Sequence, residues 1–198
     1  WDEDILPDLE SRTHDSRKRI MDKAGIKDHE LRGILPIHPY AACVLKHISS
    51  SFASNQRSMF DFIKNNGNED MHGFQWYMDN YGPFDESPFL TIDLLWAFFY
   101  DNGKNDLSIN IRHILDRYAS LSKQLNKEEQ SVLKTVLLLQ AISNSTGDSV
   151  EIFLPNERNL SYAYEGSHLD GGLAVKCAEK LVKDKVLYKR SFNDGSFL

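Results

Sequence analysis

The chain is predicted to be mainly α, with a helical lid-like subdomain followed by a winged helix-turn-helix carrying a small β-hairpin. Three observations carry this expectation. Apolar residues recur at spacings of three and four through most of the first 145 positions, which is the helical period. Residues that cap and stop helices bracket those runs. Strand-like character is confined to VEIF at 150–153 and to VLYKR with the turn Asn193-Asp194-Gly195 that follows it.

Residues 2–10 are acidic and 17–32 are rich in Arg17, Lys18, Arg19, Lys23, Lys27 and Arg32, an order that favours a helix dipole and reads as a solvated helix face. Gly-Ile-Leu-Pro at 33–36 breaks that stretch. Pro39 then suits a first helical turn, where its missing N–H would be unpaired anyway, and Ala42, Leu45, Ile48 and Phe52 form one apolar stripe ending near Ser54. Asn55 is a suitable cap for the next helix, whose buried face is Met59, Phe60 and Ile63 and whose stop is Asn65-Asn66-Gly67. Between 70 and 90 aromatic residues alternate with Gly and Pro, which predicts a packed, irregular connection.

From Thr91 a nearly all-apolar run containing Leu94, Leu95, Phe98 and Phe99 predicts a central helix that stops at Asn102-Gly103. A further helix is expected from Ile109 to Leu125. Another begins at Asn126, with Glu128 and Glu129 in its first turn. The remainder reads as a short strand at 150–153, a weak helix at 157–164, a strong helix from Ala174 to Val186, and a hairpin. Taken together, 1–126 is the helical subdomain and 127–198 the winged-helix-like one, expected to be truncated at its C-terminal end. A chain that opens on Trp1 and closes just after a turn reads as a piece of a larger protein.

Composition bounds the chemistry. The chain has 198 residues, 41% of them hydrophobic, which suits one globular domain or two small ones. Two cysteines, Cys43 and Cys177, make no disulfide framework, and no apolar run approaches the roughly 18–20 residues of a membrane span, so a cytoplasmic location without membrane insertion is expected. The net charge of −6 argues against an overall basic polyanion binder.

Catalytic motifs are missing. The one Gly-Lys pair, Gly103-Lys104, lacks a phosphate-loop context, and there is no G-x-S-x-G or H-E-x-x-H. Asp101 to Arg112 resembles a calcium loop only superficially, since its sixth position is Asp106 and its twelfth Arg112. Cys43 and His47, four apart with His38 upstream, could converge on a metal, but a packed cysteine and a surface histidine are the commoner arrangement, and no metal ligand set is assigned.

The stretch LPIHPYAACVLKHISSSFASNQRSMFDFI, 35–63, stands out. Its Ile37-His38-Pro39 and Asn55-Gln56-Arg57-Ser58-Met59-Phe60-Asp61-Phe62 elements resemble the C-terminal, lid plus winged-helix region of large bacterial P-loop ATPases of AAA+ or STAND-like type. The resemblance implies that the chain lies after a nucleotide-binding core elsewhere in a parent protein, with ATP and Mg²⁺ bound there and no cofactor in this chain. It also implies that Arg57 reaches a nucleotide's phosphates, that His38, Pro39 and Asn55 are motif-structural, and that the partners are the rest of the parent chain and a protein partner. The alternative is a stand-alone winged-helix protein that binds DNA through Lys176, Lys180, Lys183, Lys189 and Arg190. Leu169-Asp170-Gly171-Gly172 opens that helix with no base-reading side chain, so the interaction role is preferred.

Overall fold

The computed structural model describes residues 4–51, 59–64, 72–147, 150–190 and 195–198. They form a mainly helical protein with eleven α-helices and no strand among the described residues. None of these helices is long and apolar enough to cross a membrane.

The acidic-then-basic segment folds as two helices, α1 (Ile5–Arg12) and α2 (His14–Ala24), because Thr13 leaves helical geometry between them and its hydroxyl turns back to the Leu9 carbonyl at 3.2 Å. Gly25 stops α2 in the left-handed conformation, φ 64°, with its N–H on the Met21 carbonyl. The short α3 (Asp28–Gly33) leads into α4 (Pro39–Ser51), and Pro39 is its first residue, as its sequence context requires. Next come α5 (Met59–Lys64) and α6 (Phe74–Asn80). In α5 it is Phe62, fully buried against Phe98 and Phe99 at 5.2 and 6.0 Å, that faces inward, whereas Ile63 is 41% exposed.

The run expected as one central helix is helical without a break from 92 to 101 but winds unevenly, as a 3-10 turn at Ile92–Leu94, an α-helical step at 95–96 and a π-type turn at Ala97–Asp101. Its side chains are still buried, Leu95, Trp96, Phe98 and Phe99 among them. Gly103 closes it, since a Cβ there would sit 2.4 Å from the Phe99 carbonyl oxygen. The expected helix from 109 to 125 is broken, into α7 (Ile109–Leu115), α8 (Tyr118–Leu121) and a 3-10 turn at Ser122–Gln124. The central place belongs to α9 (Lys127–Ser145), which buries Val132, Leu133, Val136, Leu137, Leu138, Leu139 and Ile142 and packs on α4, α7, α8 and α11. Its start is the expected one: the Asn126 side chain accepts the Glu129 N–H at 2.8 Å and the Glu129 carboxylate accepts the Asn126 N–H at 3.1 Å, a reciprocal capping box.

Residues 151–153 form a 3-10 turn, not the expected strand; among the described residues no strand edge offers VEIF a ladder, and burial of Ile152 and Phe153 is satisfied by a turn. Then follow α10 (Glu157–Ala163) and α11 (Leu173–Lys183). Backbone bonds join Tyr188 to Leu198 in both directions and run from the Arg190 N–H to the Ser196 carbonyl, an isolated antiparallel bridge; Asn193 and Asp194 of the expected turn lie outside the described residues. A second, parallel bridge, Ile37 with Leu90, ties the entry of α4 to the 81–90 loop.

Candidate functional site

Two regions collect the polar chemistry. The first is buried between α2, α4 and the 150–165 segment. Arg17 and Arg19, expected on a solvated face, are each only 6% exposed, because each has found carboxylates or acceptors that permit a buried guanidinium. Arg17 donates to Asp28 at 2.6 Å and Glu10 at 3.4 Å. Arg19 donates from Nε to the Tyr40 hydroxyl at 2.8 Å, and from Nη2 to Glu151 and to the Asn159 side-chain oxygen, both at 3.0 Å, while lying 5.3 Å from the Tyr162 ring centre.

Tyr40 donates to the same Asn159 oxygen at 3.1 Å, and the Asn159 amide donates to the Glu151 and Leu154 carbonyls at 2.7 and 2.8 Å. Lys23 completes the set at 3.0 Å from Glu151. Hydrogen bonds from Lys23 and Arg19 hold the Glu151 carboxyl at about 2, and burial, partly offset by Arg19, raises the Tyr40 hydroxyl. This is a fully connected network whose members come from elements 21 to 140 positions apart, and its electrostatics favour charged Arg19 with neutral Tyr40.

His38 sits beside it, fully buried. Its Nδ1 accepts the Tyr40 N–H at 3.2 Å, inside the first turn of α4, so Nε2 carries the proton and donates to the Glu165 carbonyl at 3.2 Å. Burial lowers this imidazole to about 3, and it stays neutral. The Glu165 carboxylate in turn accepts the N–H groups of Asp15 and Ser16, at 3.1 and 2.6 Å, at the start of α2. Next to it Gly166, φ 74°, lies where a Cβ would come 2.8 Å from the Arg12 carbonyl oxygen. His38 and Pro39 are thus helix-start residues of α4. Cys43 is buried, with its thiol pushed up to about 12 by burial, and the His47 ring packs against Phe153 at 5.1 Å. Arg57 and Asn55, the residues expected to sense nucleotide and to cap, lie outside the described residues.

The second region is the outer side of α11 and the segment after it. Lys176, Lys180, Lys183, Lys189 and Arg190 are all exposed. Lys180 pairs with the buried Glu129 of the α9 capping box, and Lys189 with Glu157 of α10. Lys176 and Lys183 carry no ion pair among the described residues. The exposed Leu173 and Tyr188, at 47% and 71%, flank them in sequence. This face can offer apolar area and a modest positive charge.

Arg19, Tyr40, Glu151, Asn159 and Glu165 were not singled out by sequence. The only local signal was the pair Asn156 and Asn159, where the Asn156 side chain caps α10 by accepting the Asn159 N–H at 2.9 Å. Among the described residues no three His, Cys, Asp or Glu side chains gather as a metal site. No family model, curated protein or solved structure matches the chain.

Proposed function

We propose that this chain is a non-catalytic lid, coupling and interaction region of a larger nucleotide-dependent ATPase. The observation that carries the reading is the buried network of Arg19, Tyr40, Asn159 and Glu151 together with the His38 to Glu165 tie. These groups are committed to one another rather than to a substrate, and they join the helix that begins at His38-Pro39 to the C-terminal third of the chain. A rigid link of that kind suits a region that passes a movement between two surfaces. The order of α9, the 151–153 turn, α10, α11 and the bridged 188–190 and 196–198 segments is read here as a winged-helix arrangement used for contact with protein, with α11 facing outward.

The test is in the parent gene and its product. Coding sequence upstream of Trp1 should specify a phosphate loop and an acidic Mg²⁺-binding strand, and Arg57→Ala should impair hydrolysis by the full-length protein while leaving the melting temperature of the 198-residue chain unchanged. A parent without a phosphate loop removes the ATPase reading. Lys176, Lys183 and Lys185, exposed and without an ion pair among the described residues, favour a second reading, DNA contact. Duplex titration at two salt concentrations tests it, because affinity that rests on phosphate contacts falls steeply as salt rises.

A further inference from the structure

Phe84 is 84% exposed, more than any other large apolar side chain among the described residues. It is held there. The Asp85 N–H donates to the Gly82 carbonyl at 3.3 Å, the Asp85 carboxylate accepts the Gly82 N–H at 2.7 Å, and Pro83 occupies the second position of that turn. On one side Tyr81 stacks on Tyr77 at 4.8 Å; on the other Phe89 and Leu90 are buried, with Leu90 bonded to the backbone of Pro36 and His38. A ring displayed on a closed, anchored turn has already lost most of the freedom that binding would remove, which is what makes a side chain an effective anchor. Asp85 and Glu86, beside it, are exposed carboxylates without an ion pair among the described residues.

The same chain carries a matching recess. The end of α2, with α3, α4 and α5, encloses a groove of about 380 Å³ lined by Ile26, Ile34, Ala42, Leu45 and Ile63, with Lys46 also on its wall. An apolar cavity of roughly 150 Å³ already accepts a benzene ring, so a benzyl side chain fits here. Lys46 and, next to Ile26, Lys27 are exposed and carry no ion pair among the described residues; the one acid of the groove, Glu30, is tied to the Lys27 N–H at 2.7 Å.

We propose that Phe84 of one copy docks in this groove of a second copy, with Asp85 and Glu86 facing Lys46 and Lys27. An aromatic knob flanked by acids and an apolar hole edged by lysines are complementary in shape and sign, and the anchored turn keeps the knob away from its own hole. Knob and hole are different surfaces, so copies join head-to-tail and one of each stays free at the ends of any assembly that does not close on itself. The inference stands independently of the ATPase reading.

Sedimentation equilibrium of the 198-residue chain from the micromolar to the millimolar range tests it. The weight-average mass is expected to rise with concentration, and more steeply at low salt, where the surface charges are less screened. Phe84→Ala and, separately, Lys46→Glu with Ile63→Glu should each weaken association by about tenfold or more, the loss of one large apolar contact, with unchanged thermal unfolding because all three side chains are exposed. Mixing the two variants should yield a dimer and nothing larger, since one retains only the hole and the other only the knob. A mass of one chain at every concentration, association indifferent to Phe84→Ala, or a mixture that stays monomeric would each overturn the proposal.

Discussion

Acid should destabilise this protein chiefly through His38, well above the pH at which its carboxylates protonate. In the unfolded chain an imidazole titrates near 6.5, whereas in the folded protein burial lowers His38 to about 3. Between those values the unfolded state binds the extra proton, so stability must fall as pH falls through the window from 6.5 to 3. At pH 5 the cost is about 2 kcal/mol, from 1.36 kcal/mol per unit over the ~1.5 units separating pH 5 from the unfolded value.

Burial outweighs the one compensation the imidazolium finds, the hydrogen bond to the Glu165 carbonyl. Its neighbours are the Tyr40 N–H, the Glu165 carbonyl and the edge-on Phe89 ring at 5.9 Å, while the Glu165 carboxylate is occupied at the start of α2. Glu151, whose carboxyl is held at about 2, gives up its share of stability only below its unfolded value of 4.5, and burial lowers His47 as well, so pH 5 reports on histidines and a His38 variant separates the two. The assay is urea unfolding at pH 7.5 and pH 5 for the natural chain and for His38→Asn, which keeps a side-chain acceptor for the Tyr40 N–H. The natural chain should lose about 2 kcal/mol more than the variant between the two pH values. Parallel losses, or a His38 ring that titrates near 6.5 in the folded protein by NMR, would refute the reasoning.

Arg19→Ala should cost about 3–5 kcal/mol in denaturant unfolding, because it strands Tyr40 and Asn159 in the interior, and a cycle with Tyr40→Phe should reveal coupling of about 1–3 kcal/mol. Gly166→Ala should destabilise by about 1–3 kcal/mol, since both its positive φ and the approach of the Arg12 carbonyl oppose a Cβ; a change within a few tenths would contradict the close contact. Asn126→Ala should cost about 1 kcal/mol through loss of the capping box, checked by the shift in melting temperature. Lys176→Glu with Lys183→Glu should leave stability within about 0.5 kcal/mol, and should abolish duplex binding if the DNA reading holds.

Much of the helical architecture follows from local sequence. The 3.6-residue apolar period of α9 and α11, the Asn126 to Glu129 box and Pro39 at the first position of α4 are short-range properties, decided within a turn or two of the chain, and they are present in the structure. The finer arrangement was decided by tertiary contact. Whether a run of apolar residues at 91–101 keeps a regular helical pitch or passes from a tight 3-10 turn to a wide π-type one depends on how it must wind through a core already filled by α9, which no local pattern encodes.

The same holds for VEIF, which becomes a strand only when another edge is there to pair with it. Most of all it holds for Arg17 and Arg19. In sequence they are two charges on a polar helix, indistinguishable from Lys18 between them; in the fold they are buried, because Asp28, Tyr40, Glu151 and Asn159 arrive from other elements to accept their hydrogen bonds. Sequence by itself determined where α4 and α9 begin and which residues recur at the helical period, since propensity, capping and periodicity act over a few residues. Only the tertiary structure decided which polar groups left water, since a buried charge is set by partners brought together across as many as 140 positions.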